Sequence, residues 1–292
     1  MAHQRYLLIL TCLSMSAAPA VSQPADTPYV MERTEVRDMV SDEGASYRIF
    51  IQRPATEAPA AGYPILYLLD GEDNFAVAAA TSARFEKYAK DHGFEAGLIV
   101  GIGYVGESRR SFDYTPPSGL ETDPRGRPVG GAKQFRDFIT GKLRPAIEAD
   151  FAVDPQRQAL FGHSYGGLFV LDTLLEDPSL FSTYLIASPS IWFVDRIVLE
   201  KESALATKLA SLSPRMAVLT VGEMEDRAPA SLSGSAGKGL SMREEVEGLG
   251  VRLEQVEGVK IHQRTLTGES HGSSVLPAIG AAVMYAFAGG PL

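Results

Sequence analysis

Thiol chemistry is almost absent from this chain of 292 residues, whose one cysteine is Cys12. A lone cysteine closes no intrachain disulfide, and without Cys clusters no thiolate metal site can form. Basic charge is also scarce: 27 Lys and Arg stand against 36 Asp and Glu, a formal net charge of −9. Nucleic acid and anionic membranes both demand a broad basic face, so neither is an expected partner, and any anionic substrate needs a local basic patch. Long apolar runs are missing too. The stretch from Tyr6 to about Met15 is too short to span a bilayer, so an integral membrane protein is not expected, and no segment repeats.

What is present fits one large α/β domain, because 45% apolar and 22% charged residues can bury a full core and leave no sign of disorder. The basic start Met1-Ala2-His3-Gln4-Arg5, the short apolar run and Ala18-Pro19-Ala20 form the pattern of a secretory signal peptide, cleaved after Ala20 or Ser22. Residues 1–22 are therefore expected to be removed, Cys12 with them, leaving 23–292 as a single periplasmic or secreted domain. Ile9-Leu10-Thr11 lacks the small residues that a lipoprotein site at Cys12 requires.

Strand-like and helix-like segments alternate along the chain. Thr34 to Met39 and Tyr47 to Gln52 read as an antiparallel hairpin, and Tyr63 to Leu69 is continuously apolar, as a strand covered on both faces is. A helix from Phe75 to Lys90, a strand from Leu98 to Ile102, a helix from Lys133 to Ala149 and a strand from Ala159 to Phe161 come next. Beyond them lie helix Leu168 to Leu175, strand Thr183 to Ile186, helix Val194 to Leu209, strand Met216 to Val221, helix Leu240 to Leu249, strand Val259 to Leu266 and helix Val275 to Phe287. This order implies a mostly parallel sheet wrapped by helices, with active groups at the carboxyl ends of its strands. Tyr104 to Gly131 is too long for a simple connection and reads as a site-forming loop, and Ala228 to Gly239 reads as irregular.

Gly162-His163-Ser164-Tyr165-Gly166 lies between the run Gln158 to Phe161 and a helical stretch. A serine on so sharp a strand-to-helix turn is strained, its flanking glycines leave no Cβ to clash, and its hydroxyl stands clear of the sheet. Gly268-Glu269-Ser270-His271-Gly272 matches the same pattern. Downstream residues tell the two apart, since in such hydrolases the chain order is Ser, acid, His. After Gly272 the chain has no His, Asp or Glu, whereas Ser164 has acids, His262 and His271 beyond it.

Ser164 is thus the candidate nucleophile, and it needs a base to take its proton as it attacks. His271, in a Gly- and Ser-flanked loop after a strand, is the candidate; His262 falls inside a strand, His92 near a helix end, and His163 is expected to point away from the nucleophile. The acid should come after strand Met216 to Val221, within Gly222-Glu223-Met224-Glu225-Asp226, to hold the imidazole in its working tautomer. Glu225, three positions past the glycine, is the first choice, with Asp226, Glu223 and a Ser–His dyad as alternatives. Backbone N–H groups of Tyr165 and of Gly71 or Glu72 are the expected oxyanion hole. Asp70, Glu72 and Asp73 have no neighbouring histidine and read as loop acids, so no metal or other cofactor is implied.

These phrases together, with Leu66-Tyr67-Leu68-Leu69-Asp70-Gly71, Arg110-Ser111-Phe112-Asp113-Tyr114-Thr115-Pro116 and Ser188-Pro189-Ser190-Ile191-Trp192, closely resemble the esterase branch of the α/β-hydrolases. That branch includes esterase D, the mycolyltransferases and the enterobactin esterases, and the resemblance runs along nearly the whole mature chain. It is strongest to the periplasmic trilactone hydrolases of enterobactin and salmochelin, where Ser–His action without a well-placed acid is known, which leaves the acid open here. The resemblance implies an α/β-hydrolase fold and a small-molecule ester substrate, a ferric siderophore of the catecholate trilactone type. Its alternatives are a general or feruloyl-type carboxylesterase and an acyltransferase. Arg109, Arg110, Arg125, Arg127, Lys133 and Arg136 form the densest basic stretch, readable as an anion-binding rim or as a solvated loop, in which Arg110 pairs with Asp113. Trp192 and Phe193 are readable as an aromatic wall for a ring-bearing substrate or as core.

Overall fold

The computed structural model describes residues 26–89, 93–226 and 239–288. The expected signal peptide with Cys12 and its cleavage positions, His92, and residues 228–238 lie outside the described residues. Contacts divide the chain into Met1–Glu32, of which residues 26–32 are described and carry no helix or strand, and Arg33–Leu292, which holds every helix and strand among the described residues.

Among the described residues eight strands form one sheet: β1 (Thr34–Val40), β2 (Ser46–Gln52), β3 (Tyr63–Leu69), β4 (Leu98–Tyr104), β5 (Val153–His163), β6 (Thr183–Ala187), β7 (Arg215–Gly222) and β8 (Val259–Leu266). Their spatial order is β1-β2-β4-β3-β5-β6-β7-β8. β2 pairs antiparallel with both β1 and β4, and every other pairing is parallel. The expected sheet, mostly parallel with an N-terminal antiparallel hairpin, is what forms. Its central strands β3 and β4 are buried almost throughout because helices cover both faces, which is why they read as unbroken apolar runs.

The helices are α1 (Gly71–Glu86), α2 (Arg110–Asp113), α3 (Ala132–Phe138), α4 (Arg144–Asp150), α5 (Tyr165–Glu176), α6 (Leu205–Leu209), α7 (Met242–Glu254) and α8 (Val275–Phe287). α1 and α8 pack together on one face of the sheet. Ile65, Tyr67 and Leu69 of β3 point to the other, into a core with Phe135 of α3, Phe169 of α5 and Val246 of α7. That alternation within one strand is the pleat expressed as packing.

Several boundaries differ from expectation. β5 spans eleven residues rather than three, because pairing with β3 extends the strand back to Val153 past a polar stretch. The helix expected over Lys133 to Ala149 is interrupted by a π-helical turn at Ile139–Leu143. The one expected over Val194 to Leu209 is delayed, since Val194, Asp195 and Arg196 are all left-handed (φ 40°, 52° and 67°); a 3₁₀ segment at Ile197–Ala204 precedes α6. The long loop 104–131 contains α2 and an isolated bridge between Thr122 and Pro128.

Candidate active site

Ser164 occupies the turn from β5 into α5 with φ 61° and ψ −119°, a conformation that L-residues rarely adopt. The turn is held from three sides: Ser164 N–H donates to the Ala187 carbonyl (3.0 Å), while the N–H groups of Leu168 (2.9 Å) and Ser190 (3.1 Å) donate to the Ser164 carbonyl. A Cβ on Gly162 would overlap the Gly166 carbonyl, and one on Gly167 would lie 2.5 Å from the Ala187 oxygen. At Gly166 a Cβ would meet nothing closer than 3.5 Å. The steric demand for glycine therefore falls on Gly162 and Gly167, and the expectation that both glycines of the pentapeptide are required is corrected at Gly166.

The loops after β7 and β8 are laced together by Glu223 N–H to the Leu266 carbonyl and Met224 N–H to the Glu269 carbonyl, both 2.9 Å. This brings Glu225 to His271. Its Oε2 lies 2.7 Å from His271 Nδ1, and His271 Nε2 lies 3.0 Å from Ser164 Oγ. The other carboxylate oxygen, Oε1, accepts from Ser188 Oγ at 2.6 Å and from Gly222 N–H at 2.8 Å. Burial works to raise the Glu225 pKa, but the hydrogen bonds from His271, Ser188 and the Gly222 N–H outweigh it and hold the carboxyl below its ordinary value. An ionised Glu225 accepts a hydrogen bond from Nδ1–H, which fixes the tautomer and leaves the Nε2 lone pair facing Ser164. The Glu225 side chain is 3% exposed and that of His271 43%, so the carboxylate is sealed while the imidazole stays accessible. Of the alternatives, Glu223 accepts instead from Gly268 N–H and Asp226 is exposed.

His163 packs against His271. Its ring centroid lies 4.7 Å from that of His271, with the planes at 36°. Burial first, and the neighbouring His271 second, lower its pKa to about 4, so it is neutral beside the imidazole. Ser274 Oγ sits 3.4 Å from His163 Nε2 and donates to the His271 carbonyl at 3.1 Å. Nothing in the sequence marks Ser188, Ser274 or His163 for these positions, since no spacing rule ties them to Glu225 or His271. His262 lies half-buried in β8 against Tyr285, and the Ser270 hydroxyl is taken up locally by Ser273.

The parallel pairing of Leu68 with Phe161 carries the start of α1 alongside the start of α5. Tyr165, Gly71 and Glu72 all lie in first helical turns, whose N–H groups have no intrahelical acceptor. Gly71 has no room for a Cβ, which would sit 2.8 Å from the β4 backbone. The Glu72 carboxyl folds over Gly103 and accepts from its own N–H, and burial pushes its pKa up. Gly71 is therefore the less encumbered of the two donors.

The basic loop is largely neutralised from within. Arg109 pairs with Asp113 (3.4 Å), Arg127 with Asp123 (2.7 Å), Lys133 with Asp137 (2.7 Å) and Arg136 with the fully buried Asp172 (2.9 Å). Arg110 pairs with Asp70, Nε to Oδ1 at 3.0 Å, which corrects the expected pairing with Asp113. Among the described residues only Arg125 of this group has no carboxylate within ion-pair distance. Arg109 and Arg127 line a cavity of about 540 Å³ with Phe112 and Glu107. A second cavity, about 290 Å³, is lined by Ser164, Ser190, Trp192, Met224, Met242 and His271. Trp192 is half-buried and lines this cavity, whereas Phe193 is core. Met224 and Met242 had no signal in the sequence; they reach the cavity from the β7 loop and the start of α7.

A family model described as "Putative esterase" matches residues 42–274. The chain belongs to the esterase family. The esterase is 37% identical over 263 residues to the ferri-bacillibactin esterase BesA of Bacillus subtilis, covering 86% of this chain and 88% of that protein. The BES protein of Bacillus cereus superposes with a TM-score of 0.80 at 32% identity, covering 91% and 99% of the two chains. The siderophore hydrolase EstA of Aspergillus nidulans superposes with a TM-score of 0.76 at 28% identity, covering 90% and 98%. The α/β-hydrolase fold of the esterase is established by these likenesses together with its sheet order, and its reaction class is hydrolysis of carboxylic esters.

Proposed function

We propose that the protein is an exported serine esterase that opens the ester bonds of a siderophore, a catecholate trilactone or a close equivalent. The observation that carries the mechanism is the chain Ser164 Oγ, His271 Nε2, His271 Nδ1, Glu225 Oε2, with links of 3.0 and 2.7 Å, at the wall of the 290 Å³ cavity. In this reading Ser164 attacks the ester carbonyl while His271 Nε2 takes its proton, and N–H groups of Tyr165 and Gly71, or Glu72, hold the oxyanion. His271 returns the proton to the leaving alcohol, and a water deprotonated by His271 then releases the acid from the acyl-enzyme. Glu225 stays ionised throughout and stabilises the imidazolium.

The substrate class rests on the relatives, a ferri-bacillibactin esterase and a siderophore hydrolase. The paired arginines argue against a broad anion trap, so orientation is assigned to Trp192 and the two methionines, which offer apolar and aromatic surface beside Ser164. Arg109 remains at the rim of the larger cavity, where an extended anion can reach it. Export rests on the basic start, short apolar run and Ala18-x-Ala20 pattern.

The test is turnover of a catecholate trilactone against p-nitrophenyl acetate and a feruloyl ester, with wild type and Ser164→Ala, together with mass spectrometry of an organophosphate adduct. The expected result is a preference for the trilactone, an adduct on Ser164 and an inert Ser164→Ala that melts like wild type. Turnover by Ser164→Ala would sink the mechanism, and equal rates on all three esters would sink the substrate. Exported protein beginning at Val21 or Gln23 is the expected product of processing, and an intact Met1 on it would contradict export by a cleaved signal.

A further inference from the structure

We propose that Arg110 is a positioning residue of the oxyanion hole, locking Asp70 and Tyr165 so that the backbone N–H groups beside them are preorganised, rather than a contact for anionic substrate. This rests on the serine esterase reading. Asp70 is left-handed, with φ 51° and ψ 53°, and stands at the cap position of α1, yet its side chain makes no capping bond to the helix. The carboxylate is instead taken by Arg110 in a two-point pair, Nε to Oδ1 at 3.0 Å and Nη2 to Oδ2 at 3.3 Å. The Asp70 N–H donates to the hydroxyl of the fully buried Tyr114 at 3.1 Å, and the Asp70 carbonyl accepts from Asp73 and Asn74 at 3.1 and 3.0 Å. Every polar group of this residue is therefore committed to keeping the bend that leads directly into Gly71.

The same guanidinium reaches the other half of the hole. Its Cζ lies 5.8 Å from the centre of the Tyr165 ring and 5.5 Å from that of Tyr114. One planar cation thus bridges the two backbone segments, from β3 and from β5, that carry the proposed donors. Oxyanion stabilisation depends on donors fixed before the charge develops, so relaxing this bridge should weaken the transition state far more than the ground state. Lysine cannot replace it, because an ammonium offers neither the two-point geometry nor the flat face.

The experiment compares wild type, Arg110→Gln, Arg110→Lys, Asp70→Asn and the Arg110→Gln/Asp70→Asn double variant on p-nitrophenyl acetate, a small neutral ester, and on a catecholate trilactone. Inhibition by an aryl boronic acid, which forms a tetrahedral anion on the serine, is measured alongside. The expected result is a loss of about 100-fold in kcat on both esters with KM little changed, a matching loss of boronate affinity, and a double variant no worse than either single one. Arg110→Lys should recover only a small part. Unchanged kcat on p-nitrophenyl acetate with a raised KM for the trilactone alone would overturn the proposal in favour of a substrate contact. Additive losses in the double variant would overturn it by showing that Arg110 does not act through Asp70. If Arg110→Gln fails to fold, Asp70→Asn carries the same comparison, and normal kcat and boronate affinity there would equally overturn the proposal. Failure of the underlying reading is distinguishable, since wild type would then form no boronate or organophosphate adduct on Ser164.

Discussion

Replacing Glu225 by Gln tests the acid at nearly constant shape. In the native site Oε1 accepts from the Gly222 N–H at 2.8 Å, a backbone donor that cannot be reversed, and from the Ser188 hydroxyl at 2.6 Å. The glutamine carbonyl must take that place, so its NH2 faces His271 Nδ1 where Oε2 now stands at 2.7 Å. A donor there forces Nδ1 to accept, which moves the ring proton to Nε2 and points it at Ser164 Oγ, 3.0 Å away. The base is then blocked in its resting tautomer, and the imidazolium has lost its counter-charge. In a strict triad such a change costs about four powers of ten in kcat, or about 5.5 kcal/mol of transition-state stabilisation. The assay is kcat for p-nitrophenyl acetate on enzyme with a normal melting temperature, with Glu223→Gln and Asp226→Asn as controls expected to stay near wild type. A Glu225→Gln enzyme that turned over like wild type would refute the reasoning and leave Ser164 and His271 acting as a dyad.

Acidification should expose His163. Its folded pKa of about 4 lies below the ordinary 6.5, so between these values the unfolded chain binds the extra proton and stability falls as pH is lowered, by up to about 3 kcal/mol. The lowered Glu225 pKa has the matching sign but a lower window: its stabilisation is present above the ordinary value of 4.5 and is lost only as pH falls through the depressed one. Denaturation of wild type and His163→Gln from pH 7 to 4 should show a flatter profile for the variant, and parallel profiles would contradict the burial argument. Gly162→Ala should cost more than about 2 kcal/mol and abolish activity, whereas Gly166→Ala, with no close contact, should cost under about 1 kcal/mol by thermal melting. Asp172→Ala should destabilise the protein by about 3 to 5 kcal/mol, because it strips Arg136 of its partner in the core; a loss confined to substrate affinity would place Arg136 in the binding rim instead.

The sequence by itself determined the features that local pattern dictates. β3 and α8 begin and end where their apolar periodicity does, since a strand covered on both faces and a helix with a buried stripe each write their burial directly into neighbouring residues. The elbow was legible for the same reason: strand, strained serine and helix lie within a few positions. The carboxylate that meets His271 was narrowed to one turn, but Glu223, Glu225 and Asp226 differ only in which way that turn faces, and this is set by the backbone bonds that lace it to Leu266 and Glu269. Tertiary structure alone also decided that Gly167 rather than Gly166 must be bare, that Arg110 belongs to Asp70, and that His163 lies against His271. Each of these depends on chain segments that the sheet order brings together at the carboxyl ends of β3, β4, β5, β6, β7 and β8, and contacts between distant segments leave no periodicity in the sequence to read.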